Sequence, residues 1–199
     1  TMGLRRRLAA LLATASGALS PGDIEADDGS PPPADTDPDT SRSASHRGAG
    51  QDGAIRQLLE TCGLAFAPSG RNVRVNVMTF TENRLRRKVN RTTAYNMADD
   101  PDADLEIDAA AGASGKAVMF RRAAVADLTL LRITTVPPWG LKADEQARVR
   151  PLLRSILSVP IFDPANANGP LVGTLQVDSD LTVEQAGFDR PEAAELAQQ

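Results

Sequence analysis

The chain has 199 residues but only one cysteine, Cys62, and one histidine, His46. A lone cysteine excludes an internal disulfide framework and any multi-cysteine metal site. His46 sits in a stretch with almost no large apolar side chain, where a histidine is a poor ligand for a metal or haem, and no histidine follows it. Carboxylates and hydroxyls remain, but a nucleophile paired with a base is hard to assemble from them. No catalytic residue, metal ligand or cofactor is therefore assigned. Positive charge is not in excess either. The net charge is −4, whereas a nucleic-acid partner needs lysine and arginine concentrated on one face. The local basic run Arg84, Arg86, Arg87, Lys88 and Arg91 falls in a segment that reads as a strand, which divides its members between two faces. No apolar run is long enough to span a bilayer, and no internal repeat is visible.

What is present divides into three parts. Residues 1–19 are basic at the start (Arg5-Arg-Arg7) and then apolar with small side chains. Two readings stay open. One is a secretory signal peptide with Ala13-Thr-Ala15 as its cleavage signature. The other is an amphipathic helix, Leu4, Leu8, Leu11 and Ala15 on one side, that lies on a membrane surface or pairs with a partner helix. Thr1 ahead of Met2 fits a piece of a longer protein. Residues 20–53 are rich in Pro, Asp and Ser and cannot bury enough apolar surface to offset the entropy of ordering their backbone, so they read as a disordered linker.

From residue 54 to 199 the apolar residues are concentrated, and the pattern is that of one α+β domain. Ile55, Leu58, Leu59 and Cys62 share one face of a helix near 54–62, where Cys62 reads as a buried small hydrophobe. Val73, Val75 and Val77 alternate with Arg74 and Asn76, as in a half-buried strand, and a second run, 84–90, pairs with it as a hairpin. A polar, Asp-rich loop at 97–104 leads to a short edge strand at 105–107. Gly112-Ala-Ser-Gly115 leads into a helix, followed by a strand at 123–126 and a helix at 144–149 that Pro151 ends. Two strands, 155–162 and 171–177, flank the turn residues Asp163-Pro-Ala-Asn-Ala-Asn-Gly-Pro170, and a helix closes the chain at 188–196.

This order of elements, with Gly112, Gly115, Ala117-Val118, Ser155-Ile-Leu-Ser-Val-Pro160-Ile161, Gly173-Thr-Leu-Gln-Val-Asp178 and Phe188-Asp189, resembles a GAF domain, the ligand-sensing and dimerising module of signalling proteins. The resemblance implies a central antiparallel β-sheet of about five to six strands, with helices packed on one face and a ligand cavity roofed by loops on the other. The roof would come from residues 95–105, 112–120 and 126–141. Gly115, Phe120, Asp127 and Trp139 are the candidate ligand-binding residues.

The resemblance also implies a homodimer paired through terminal helices, and work in the cytoplasm, with the membrane reached, if at all, through residues 1–19. The signature of the cyclic-nucleotide-binding members is missing, as are the pocket cysteine of bilin binders, the pocket histidine of haem binders and the pocket cysteines of members that reduce free methionine sulfoxide. What the resemblance leaves is a non-catalytic regulatory sensor of an unidentified small molecule. A scaffolding or dimerisation domain with a degenerate pocket is the alternative.

Overall fold

The computed structural model of the chain describes residues 38–67, 72–80, 86–89, 94–97, 99–129, 139–163 and 169–196. Residues 1–19, residues 20–37 of the expected linker, Arg84 and Arg91, and the middle of the 163–170 turn lie outside the described residues. The first helix, α1, runs Pro38–Phe66, so helical backbone reaches back through 38–53, which the sequence reads as linker. Two effects account for the difference. Ile55, Leu59 and Cys62 are buried against the sheet and hold the C-terminal half, from which the helix extends backwards with no second nucleation cost. Proline at the first helical position needs no N–H partner.

Six strands form one antiparallel sheet: β1 (Val73–Phe80), β2 (Arg86–Val89), β3 (Glu106–Asp108), β4 (Ala124–Asp127), β5 (Ser155–Phe162) and β6 (Leu171–Ser179), in the order β3-β2-β1-β6-β5-β4. Both predicted hairpins are present, β1 with β2 and β5 with β6. The central strand β6 joins the two halves, pairing with β1 from Val73↔Ser179 to Thr79↔Gly173. The remaining helices are α2 (Gly112–Phe120), α3 (Ala143–Arg148), α4 (Val183–Ala186) and α5 (Pro191–Leu196).

The period of two in a strand sends alternate side chains to opposite faces, and here both faces are covered. On one face Val73, Val75, Val77, Leu157, Val159, Ile161, Leu175 and Val177 pack against Ile55, Leu59 and Cys62 of α1 and against Phe188 and Ala193. Phe66 meets Phe188 edge to face, centroids 5.6 Å apart, which ties the end of α1 to the C-terminal segment. That segment is set by local chemistry. Thr182 caps α4 in a reciprocal pair with Gln185, and Gly187 ends it at φ 71°.

On the opposite face α2, α3 and the loops around them form a roof. Met78, Val89, Met97, Leu105 and Ile107 pack in one cluster there, and Ala113, Ala126, Leu128 and Leu153 in a second. The roof corrects the half-buried reading of β1. Arg74 and Asn76 are only 2% and 1% exposed, because the face that the alternation assigns to solvent lies under the roof.

Candidate functional site

Between sheet and roof lies a cavity of about 60 Å³. Its floor comes from alternate positions of three neighbouring strands: Asn76 and Met78 of β1, Gln176 and Asp178 of β6, and Ile156 of β5, with Val89 of β2 at the side. The register explains why the polar members gather, since Asn76 stands opposite Gln176, and Asp178 lies between Arg74 and Ile156. The roof contributes Met97, Asp102 and Leu105, then Ile107, then Gly112, Ala113 and Ser114 at the start of α2, and Leu141, Val149 and Leu153. All three segments expected to form the roof reach the cavity.

Asp102 and Asp178 of the lining belong to a buried ion cluster centred on Arg74. Its Nη1 donates to Asp100 Oδ2 and Asp102 Oδ1, both at 2.8 Å, and its Nη2 donates to Asp102 Oδ2 at 3.1 Å and Asp178 Oδ2 at 3.0 Å. Asn76 Nδ2 donates to the same Asp178 oxygen at 3.3 Å. Arg150 extends the cluster at the rim, with Nη2 on Asp180 Oδ2 at 2.9 Å and Nε 4.0 Å from Asp100. Two guanidinium groups thus face four carboxylates, Asp100, Asp102, Asp178 and Asp180, an excess of two negative charges when all are ionised.

Burial governs the electrostatics. It pushes the Asp178 carboxyl up to about 6, against the pull of Arg74 and with the help of Asp102. For Arg74, burial acts to lower the pKa, but attraction to Asp178 and the bonds to Asp102 and Asp100 outweigh it and hold the guanidinium charged. The hydrogen-bond count leaves a remainder. Asp178 Oδ1 and Asn76 Oδ1 are buried, belong to cavity-lining residues and have no partner among the described residues. Ser158 Oγ and Thr174 Oγ1, on the same face of the sheet, are in the same state. Buried polar atoms without partners are uncommon in native proteins, and each needs a reason.

None of the four residues singled out from sequence lines this cavity. Gly115 is buried in α2 for a packing reason: a Cβ there would lie 2.1 Å from the carbonyl oxygen of Ala110. Phe120 is 57% exposed at the end of α2, beside the Arg122 guanidinium. Asp127 ends β4 facing solvent, and its Oδ1 accepts from Thr129 Oγ1 and from the Thr129 backbone N–H, which lower its pKa. Trp139 is half-buried in the roof beneath the Lys116 ammonium, 3.8 Å from its ring centroid. Its carbonyl accepts from the N–H of the cavity-lining Gly112 at 2.7 Å, so it supports the wall from behind.

The residues missed are Asn76, Asp102, Gln176 and Asp178, with Arg74 behind them. For Arg74, Asn76, Gln176 and Asp178 the signal was a polar residue at every second position of strands that run through the middle of the sheet. Cys62 lies on the other face, 3% exposed, and burial pushes its thiol up to about 12.

No family model and no curated protein matches the sequence. Among solved structures, the chain is similar to a type II free methionine-R-sulfoxide reductase from Thermoplasma acidophilum, at 17% identity and a TM-score of 0.44, over 73% of this chain and 92% of that one. It is similar as well to residues 122 to 287 of a methyl-accepting chemotaxis protein, at 16% identity and a TM-score of 0.41, over 71% and 87%. A third similar structure is the GAF domain of an Acinetobacter phosphoenolpyruvate-protein phosphotransferase, at 11% identity and a TM-score of 0.41, over 79% and 90%. The architecture is the one that the resemblance implies: an antiparallel sheet with the terminal helices on one face and a roofed cavity on the other.

Proposed function

We propose that this chain is a non-catalytic regulatory module that binds a small molecule between sheet and roof and passes the change on through its terminal helices. One observation carries the reading: a cavity between sheet and roof whose lining includes buried polar atoms without partners among the described residues. Such atoms cost free energy in an empty site and regain it when a ligand supplies the missing bonds. Among the described residues the lining contains carboxylates, amides and a hydroxyl, groups that hold a ligand by hydrogen bonds.

The route outward is short. Asn76 and Met78 line the cavity, with Arg74 on the same side of β1 behind them, while Val73, Val75 and Val77 of the same strand face α1. A ligand acts through its differential affinity for two arrangements of roof and helices. Pairing of two copies in the cytoplasm through α1 and the C-terminal helices belongs to the same proposal. Among the described residues no helix is long and apolar enough to cross a membrane.

The scaffold reading draws on the cavity's small volume, well below the several hundred Å³ of common ligand pockets. Native mass spectrometry of the protein from its own kind of cell separates the two readings. An adduct lost on denaturation is expected. A bare dimer that gains no adduct from a mixture of anionic, neutral and cationic metabolites favours the scaffold.

A further inference from the structure

The atoms without partners on the cavity floor are of one kind. Asp178 Oδ1 and Asn76 Oδ1 are both acceptors, in residues that are 4% and 1% exposed. The orientation of the Asn76 amide is settled by its neighbour, since its nitrogen donates to Asp178 Oδ2. A molecule that satisfies both oxygens must therefore bring hydrogens. An alcohol brings one and a primary ammonium brings three.

Charge points the same way. The Arg74 cluster has more carboxylates than guanidinium groups, and both terminal nitrogens of Arg74 are already engaged by Asp100, Asp102 and Asp178. Among the described residues the one Arg74 donor left without a partner is Nε, so an anion would meet excess negative charge against a single N–H, whereas a cation would offset part of that excess at close range in a poorly solvated site.

Shape limits the rest of the molecule. Met78, Met97, Leu105, Ile107 and Leu153 supply the apolar part of the wall. A volume of about 60 Å³ has room for roughly four water-sized groups.

Resting on the sensor reading, we propose that the cavity takes the ammonium group of a short primary alkylamine, with Asp178 Oδ1 and Asn76 Oδ1 accepting its N–H bonds and the alkyl part against the methionine and leucine wall.

The test is thermal unfolding and calorimetric titration of the full chain with methyl- and propylammonium, tetramethylammonium, ethanol and propanol, and acetate and butyrate, at matched ionic strength. Saturable stabilisation by the primary ammonium ions alone is expected. Asp178→Asn should weaken it by roughly tenfold or more, the value of a charge-assisted hydrogen bond. Because that change also touches Arg74, Asn76→Ala serves as a second variant that leaves every carboxylate on Arg74 in place, and it should weaken binding several-fold. Equal binding of tetramethylammonium, which has no N–H, overturns the proposal. Binding of neutral or anionic probes without the amines overturns it while leaving the sensor reading intact. Stabilisation by no probe, together with no adduct in native mass spectra, removes both.

Discussion

Arg74 and Asp178 stand directly opposite each other on β1 and β6 and are joined through Nη2 and Oδ2 at 3.0 Å, so the centre of the sheet is fastened by an ion pair beneath the roof. The pair lies 104 positions apart in the chain, and Arg74 carries it on to Asp100 and Asp102 of the 99–104 loop.

Removing the cation should be severe. Arg74→Met leaves Asp100, Asp102 and Asp178 without their shared partner, and breaking a buried ionic group by deleting one member costs roughly 3–5 kcal/mol. Urea unfolding at neutral pH measures the loss, and a change under 1 kcal/mol would mean that the carboxylates are solvated.

Asp178 gives stability a specific dependence on pH. Its folded pKa, about 6, lies above the ordinary 3.8, so between these values the folded state binds more protons than the unfolded one and the contribution of this group to stability falls as pH rises. The penalty is absent below about pH 4, grows through the window and is complete above pH 6, where it is on the order of 3 kcal/mol. Relative to Asp178→Asn, the parent protein should therefore gain stability as the pH drops from 7 to 4. A flat difference between the two urea series across that range would show that the carboxyl titrates normally.

At Gly115 the expected defect is steric. A methyl group at this position meets the Ala110 backbone rather than a side chain that could move aside. Gly115→Ala should lower stability by about 3 kcal/mol, at the upper end of overpacking costs, although alanine is the better helix former. Thermal unfolding of the variant checks this, and an unchanged midpoint would show that the 108–111 turn can give way.

Cys62 should be inert in the folded protein. With its thiol pushed up to about 12, only about one in ten thousand is ionised at pH 8, and the thiolate is the reacting form. Alkylation followed by mass spectrometry should label Cys62 only at the rate of unfolding. Fast labelling under native conditions would place it at the surface.

The strands and most helices could be read from the chain because each rests on a local signal. Val73, Val75 and Val77 alternate, Pro151 stops α3, and the turn residues between Phe162 and Leu171 separate two apolar runs. The cavity floor could not be read by the same rule. Alternation shows that Arg74 and Asn76 point away from Val73 and Val75, but it does not show whether that second face meets water or a roof. Asp102 was hidden differently: an Asp-rich loop looks solvated until Arg74, from another element, is brought beneath it. Phe120 and Asp127 drew attention by residue type and by place beside the expected roof, yet the left-handed turn at Arg121, φ 52°, ends α2 with Phe120 facing solvent.

The place of β6 between β1 and β5 has a consequence for synthesis. The middle strand of the sheet is the last one made, so a nascent chain that has not reached Leu171 carries two incomplete pieces, β3-β2-β1 and β5-β4, each with an open inner edge. Pairing across about a hundred residues must wait until β6 has left the ribosome, and topologies dominated by such distant contacts fold slowly. A ribosome stalled before that point holds two exposed strand edges that can recruit other chains, so a truncation that removes β6 is expected to cost more than the loss of one strand.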